Sequence, residues 1–211
     1  MPDFAALREQ MVTLQLEQRG IREPAILNAF RSVPRERFVA DELAPHAYAD
    51  GPLPIGSGQT ISQPYIVALM IQAAGIKPGD QVLEVGAGSG YAAAVASRIA
   101  DEIVAIERHP DLAAEARDRL KRLGFDNVLV VQGDGTKGWP EGAPFDCILI
   151  AAAGSEPPPA LLEQLRPGGR MIIPVGPHGG MQHLLRLTKH QDGSIRRDEL
   201  CAVRFVPLVA D

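Results

Sequence analysis

The chain has 211 residues, 45% of them hydrophobic and 22% charged, with a formal net charge of −5, which suits one folded unit with a substantial core. No lysine- or arginine-rich run stands out, which weighs against a nucleic-acid partner, and the longest apolar runs, such as CILIAAAG from Cys147, are too short to span a bilayer. The N-terminus is charged from Asp3 onward, unlike a secretory signal, and Cys147, in an apolar stretch, reads as a buried reduced thiol of a cytoplasmic protein.

The first forty residues read as helical. Phe4, Leu7, Met11 and Leu14 form one apolar stripe, and Gly20 ends that helix. A second helix starts at Pro24, buries Ile26, Leu27, Phe30 and Val33, and stops at Pro34. Residues 41–61 carry several prolines and glycines and read as an irregular connection. Helix resumes over 64–74. From Lys77 the pattern changes to alternating strands and helices. Strands are expected at Gln81–Val85, Glu102–Ile106, Val128–Val131, Asp146–Ala151 and Arg170–Val175. Helices are expected at Tyr91–Ala100, Pro110–Leu123 and Leu161–Leu165, the last followed by a Pro167-Gly168-Gly169 turn. The Pro110 helix carries acids early and bases late, with Gly124 as its stop. Gln182–His190 and Cys201–Leu208 read as an antiparallel pair at a sheet edge. The expected fold is therefore α/β: a doubly wound, mainly parallel, Rossmann-like sheet with an antiparallel C-terminal edge and an N-terminal helical extension. The division of labour is expected to fall between residues 1–76 and residues 77–211, within one compact unit.

The most informative stretch is VLEVGAGSGYAAAVA, from Val82 to Ala96. A buried strand runs into Gly86, Gly88 and Gly90, and a helix opens at once. Glycines there permit a tight turn and close approach of a ligand to the main chain. The spacing is G-x-G-x-G, whereas dinucleotide binders show G-x-G-x-x-G. Glu84 stands inside the strand, where a carboxylate would repel a pyrophosphate and attract a cation. Glu107 ends the next strand, placed to accept from both ribose hydroxyls. Asp134, followed by Gly135, ends the third and is placed to accept from an adenine amino group. Taken singly, Glu107 could cap a helix and Asp134 could make a turn. Together the three acids suit a nucleoside that bears positive charge and no phosphate, which describes S-adenosylmethionine. The five histidines lack metal-ligand spacing, so no metal is expected.

The chain resembles the class I S-adenosylmethionine-dependent methyltransferases, and more specifically the protein-L-isoaspartate O-methyltransferases. The resemblance rests on Gly58-Gln59-Thr60-Ile61-Ser62-Gln63-Pro64, the loop from Glu84 to Tyr91, Gly133-Asp134-Gly135, Pro167-Gly168-Gly169-Arg170 and Arg204-Phe205-Val206-Pro207-Leu208. It implies methyl transfer to the free α-carboxylate of L-isoaspartyl residues in damaged polypeptides, with S-adenosyl-L-homocysteine as by-product and repair through a succinimide. It implies that Ser62 is the active-site hydroxyl, and that Thr60, Ile61, Gln63, Gly86, Glu107, Asp134 and Gly135 contact the cofactor or wall its site. No role is carried onto Val209. The substrate is expected to be an extended, accessible segment lying between the 52–62 loop and the C-terminal strand, with Pro54, Ile55, Val206, Pro207 and Leu208 as apolar walls. A monomer is expected. Read from its neighbours alone, Ser62 is an N-cap for the helix that follows. A methyltransferase for a small metabolite or RNA, and a non-catalytic nucleoside-binding module, are the other readings, and a nicotinamide-dependent oxidoreductase is disfavoured by the G-x-G-x-G spacing and Glu84.

Overall fold

The computed structural model describes residues 2–177 and 179–210. Helix α1 (Phe4–Met11) is capped by Asp3, whose carboxylate accepts from the Ala6 amide at 3.0 Å. It does not continue as an α-helix. Residues Val12–Leu16 form a π-helical turn and Glu17–Arg19 a 3-10 turn that ends at Gly20. The wider π turn shifts the register, so Val12 and Leu16 are fully buried while Leu14 is 46% exposed. The expected stripe through Leu14 is therefore corrected.

Helix α2 (Pro24–Ser32) buries Ile26, Leu27 and Phe30. A 3-10 turn, Arg35–Phe38, follows, and the 41–61 segment expected to be irregular holds a second, Asp41–His46, and a small hairpin. Its strands are β1 (Leu53–Gly56) and β2 (Gln59–Ile61), antiparallel, with Leu53 opposite Ile61 and Pro54 opposite Thr60. The reversal uses left-handed Gly56 and Gly58. Helix α3 (Pro64–Ala74) follows and ends on left-handed Gly75.

The remaining elements are β3 (Gln81–Val85), α4 (Tyr91–Ala96), β4 (Glu102–Glu107), α5 (Pro110–Arg122), β5 (Val128–Gln132), β6 (Phe145–Ile150), α6 (Pro159–Glu163), β7 (Leu165–Val175), β8 (Gln182–Lys189) and β9 (Ile195–Val203). They build a seven-stranded sheet in the order β5-β4-β3-β6-β7-β8-β9. Pairs from β5 to β7 are parallel, and β8 and β9 add antiparallel. The chain winds outward from β3 through β4 to β5, then crosses to β6 on the other side. That reversal leaves a crevice above the carboxyl ends of β3 and β6.

Several boundaries differ from the sequence reading, among them α6, which lies at Pro159–Glu163 rather than Leu161–Leu165 because Leu165 already begins β7. Helix α4 stops at Ala96, where Ser97 Oγ donates back to the Ala94 carbonyl and Asn127 Nδ2 takes the Ser97 carbonyl at 2.9 Å. The Pro167-Gly168-Gly169 segment is not a separate turn but part of β7, pressed close to β6: a Cβ at Gly169 would lie 3.0 Å from the Asp146 carbonyl. The last sheet strand is Ile195–Val203, not Cys201–Leu208. The chain then leaves the sheet, and Val206–Leu208 pairs with Ala153 after β6.

One apolar core joins the N-terminal helices to one face of the sheet, so Phe30, Phe38 and Ile71 pack with Tyr91, Ile103 and Leu149. The opposite face buries Leu83, Ile148, Leu161 and Met171. Helix α4 enters through left-handed Gly90 (φ 85°), where a Cβ would lie 3.0 Å from Leu120 Cδ1 of α5. Gly90→Ala should therefore destabilise the chain by about 1–3 kcal/mol, combining strain and crowding. A lowered urea midpoint at unchanged slope checks this.

Candidate active site

A cavity sits in the crevice at the carboxyl ends of β3, β4 and β6, lined also by residues 59–62 and 206–209. Its floor is the glycine loop. The Gly86 and Ala87 amides both donate to the Ile106 carbonyl, which fastens the loop to β4. Gly88 has φ 54°, and a Cβ there would lie 3.0 Å from Ile55 Cδ1. The β1–β2 hairpin thus rests directly on the loop. Gly135 is equally constrained, since a Cβ there would lie 2.4 Å from Val85 Cγ1. Only glycine lets the turn after β5 press against the end of β3.

Two buried carboxylates face this cavity. Glu107 is 4% exposed, and its oxygens accept from the Gly88 amide at 2.8 Å and the His109 amide at 2.9 Å. It braces the glycine loop against the start of α5, and each oxygen retains a further lone pair. Glu84 is 2% exposed and its Oε2 has no partner in the protein. Burial, reinforced by the nearby Glu107, pushes its carboxyl up to about 8. An ammonium group beside Oε2 would satisfy both the orphaned oxygen and the suppressed charge. Ribose hydroxyls would use the remaining lone pairs of Glu107. The donor set therefore fits a cationic nucleoside bearing an amino-acid ammonium.

Ser62 also lines the cavity. It is not the N-cap of α3. Gln63 occupies that position and makes no side-chain cap bond. Among the described residues the Ser62 hydroxyl has no hydrogen-bond partner, so it is available to a ligand. Thr60, Ile61, Gly86, Gly88 and Gly135 line the same space, as do Val206, Pro207 and Leu208.

Five expected residues stand elsewhere. The Gln63 side chain turns to Asp50, donating to Oδ1 at 2.7 Å. Pro54 is exposed on β1, and Ile55 packs over Gly88 without lining the cavity. Gly90 serves the packing of α4 on α5. Asp134 accepts from the Thr136 amide at 2.9 Å and hydroxyl at 2.6 Å and meets Lys137 Nζ at 3.3 Å, which builds the turn after β5. Its neighbour Gly135, rather than Asp134 itself, reaches the cavity. Sequence reasoning missed Ala151, Ala152, Arg108, His109 and Val209, all lining residues. Small residues just past β6 were a usable signal, because close approach at a strand end needs them. Nothing in the local pattern marks Val209. Among the described residues no group of His, Cys, Asp and Glu is placed to hold a metal.

A carboxylate beneath the glycine loop has no use for a pyrophosphate, and the sheet, with its antiparallel edge, is that of the Rossmann-like S-adenosylmethionine-dependent methyltransferases. A family model, protein-L-isoaspartate(D-aspartate) O-methyltransferase, matches residues 7–211, and the chain belongs to that family. A protein-L-isoaspartate O-methyltransferase of Methylorubrum extorquens (strain PA1) is 58% identical over 209 residues, covering 99% of this chain and 91% of the relative. A second, from Rhodopseudomonas palustris (strain HaA2), is 53% identical over 208 residues, covering 99% and 85%. A solved protein-L-isoaspartate O-methyltransferase superposes with a TM-score of 0.86 at 31% identity, covering 95% of this chain and 65% of that one. A Plasmodium falciparum family structure, in complex with S-adenosyl-L-homocysteine, superposes with a TM-score of 0.83 at 27% identity, covering 97% and 99%. The match includes the N-terminal helices and the TISQP segment, which leaves the metabolite, RNA and non-catalytic readings without support.

Glu84 yields a measurable proton. Its raised value favours the protonated form in the free chain, a contribution to stability that is lost as pH rises through about 8. At pH 7 an arriving ammonium should expel that proton. Calorimetric titration with S-adenosyl-L-homocysteine in buffers of different ionisation enthalpy should show release of most of a proton per site. Glu84→Gln should show almost none.

Proposed function

We propose that Ser62 is the hydrogen-bond donor that orients the substrate carboxylate in this protein-L-isoaspartate O-methyltransferase. The chain methylates the free α-carboxylate of L-isoaspartyl residues in damaged polypeptides, using S-adenosylmethionine. The observation that carries the role of Ser62 is its unengaged hydroxyl, which lines the cavity that Glu84 and Glu107 also face.

When bound, S-adenosylmethionine supplies an electrophilic methyl group on a positively charged sulfur. Glu84 would hold the ammonium end, and Glu107 the ribose, through the lone pairs described above. Gly86, Gly88 and Gly135 allow the main chain to approach closely. The substrate carboxylate is ionised at neutral pH, with a model value near 4, so no general base has to take a proton from it. Ser62 therefore works as a neutral donor. A lysine or arginine in its place would hold the carboxylate more tightly and dull it as a nucleophile. Opposite charges meet and fade during the transfer, so a poorly hydrated site favours the transition state over the separated ions. Val206, Leu208, Val209, Ile61 and Val67 supply apolar lining. The methyl ester then leaves the enzyme's care. The neighbouring backbone nitrogen displaces methanol to form a succinimide, which opens partly to normal aspartate.

The support for a peptide path between residues 60–62 and 206–209 is that both segments line the cavity. Residues 1–76 would then carry the substrate side and 77–211 the cofactor side of one compact unit. A monomer in the cytoplasm, acting on extended and accessible segments and on neither nucleic acid nor membrane, completes the reading. It is supported by two free cysteines and an acidic charge balance. No helix among the described residues is long and apolar enough to cross a membrane.

Labelled S-adenosylmethionine offered with paired peptides should label the isoaspartyl form and leave the aspartyl form unlabelled. Equal labelling of both would refute the assignment. Ser62→Ala should lower kcat by at least about tenfold, the worth of one hydrogen bond to a charged group. Its affinity for S-adenosyl-L-homocysteine should stay within about twofold, since that ligand is held elsewhere.

A further inference from the structure

Arg35 is the largest side chain buried completely in the protein. It stands in the 3-10 turn after Pro34, outside the cavity lining. Its Nε donates to the Ala47 carbonyl at 2.7 Å and its Nη2 to the Ser62 carbonyl at 2.8 Å. The guanidinium carbon lies 4.7 Å from the centre of the Tyr91 ring. Nη1 has no hydrogen-bond partner, and no carboxylate lies within ion-pair distance of Arg35 among the described residues. Burial works against the charge and lowers its pKa. A buried, unpaired guanidinium is a costly way to join two carbonyls.

What the guanidinium joins gives it a use. Ala47 ends the second 3-10 turn, Ser62 carries the free hydroxyl, and Tyr91 is the first residue of α4, one position beyond the glycine loop. Arg35 thus connects the hydroxyl segment to the helix that carries the cofactor floor. Neither β2 nor α3 does this for Ser62, because Ser62 lies between them and supplies no cap bond. A planar fork of donors fixes direction as well as distance.

We infer that Arg35 is a positioning residue for methyl transfer: by holding the Ser62 carbonyl against Ala47 and Tyr91, it sets the direction of the Ser62 hydroxyl relative to the cofactor. The inference rests on the role of Ser62 proposed above. A misplacement of about 1 Å at the reacting groups suffices to cost orders of magnitude in rate.

The test is a mutant cycle. Arg35→Lys keeps a charge but loses the fork, and Arg35→Met removes the charge with its desolvation cost. Each is assayed on an isoaspartyl peptide alone and combined with Ser62→Ala, and each is titrated with S-adenosyl-L-homocysteine. In the folded variants kcat should fall at least about tenfold while KM for S-adenosylmethionine and the calorimetric Kd stay within about threefold. Adding Ser62→Ala should cost nothing further, because both changes act through one hydroxyl. A folded Arg35 variant with wild-type kcat overturns the inference, and so does a loss that multiplies with that of Ser62→Ala. Failure of both variants to fold also overturns it, making Arg35 a purely structural residue. Undiminished turnover in Ser62→Ala alone would instead strike the role of Ser62, and the inference with it.

Discussion

The Glu107 carboxylate is the hinge on which the site turns. One oxygen holds the Gly88 amide and the other the His109 amide. The loop after β3 and the turn after β4 are thereby braced at one height above the sheet. The crevice exists because the chain reverses direction between β5 and β6, and Glu107 keeps its floor flat enough to seat a nucleoside. A carboxylate can do this and still accept from a ligand, since each oxygen has lone pairs to spare. Ile55 above Gly88, and Val85 beneath Gly135, then lock the walls to that floor.

The charges around the cavity are distributed by task. Glu84 is buried without a partner, and its carboxyl is pushed up to about 8, so the free site stores a suppressed negative charge on the cofactor side. Arg35 is buried without a counter-ion among the described residues, with Nε and Nη2 donating to backbone carbonyls and Nη1 unpartnered. The cavity lining also includes neutral groups, the Ser62 hydroxyl, Thr60 and the apolar tail, beside which the proposal places the reacting atoms. That arrangement suits a reaction in which an anion meets a cation and both charges vanish. A fixed charge beside the reacting atoms would stabilise the separated partners instead.

The parallel core was legible in the sequence because its signals are local. Prolines and glycines punctuate β3 to α5, and the apolar runs leave little freedom of register. The glycine loop, Glu84, Glu107 and the hydroxyl segment, all of which line the cavity, carry local signals of the same kind. What escaped depends on contacts made far along the chain. The π turn at Val12–Leu16 moves Leu14 outward to suit packing against α2 and α3, which no periodicity of α1 records. Cys201–Leu208 looks like one strand, yet Gln182 clamps Phe205 through both amide and carbonyl and sends the tail to Ala153. Asp134 carries the composition of a ligand contact, but Thr136 and Lys137, two and three residues on, engage it locally. The buried role of Arg35 had no local mark at all, because its partners lie 12 and 27 residues away.

The proposed role of Ser62 requires its hydroxyl to face the methyl donor across the cavity. A crystal structure of the chain with S-adenosyl-L-homocysteine and an isoaspartyl peptide would decide this. It should show the peptide carboxylate between Ser62 Oγ and the sulfur, with one oxygen hydrogen-bonded to Oγ and the chain passing between residues 60–62 and 206–209. A hydroxyl turned away from the sulfur, with the carboxylate held by other groups, would contradict it.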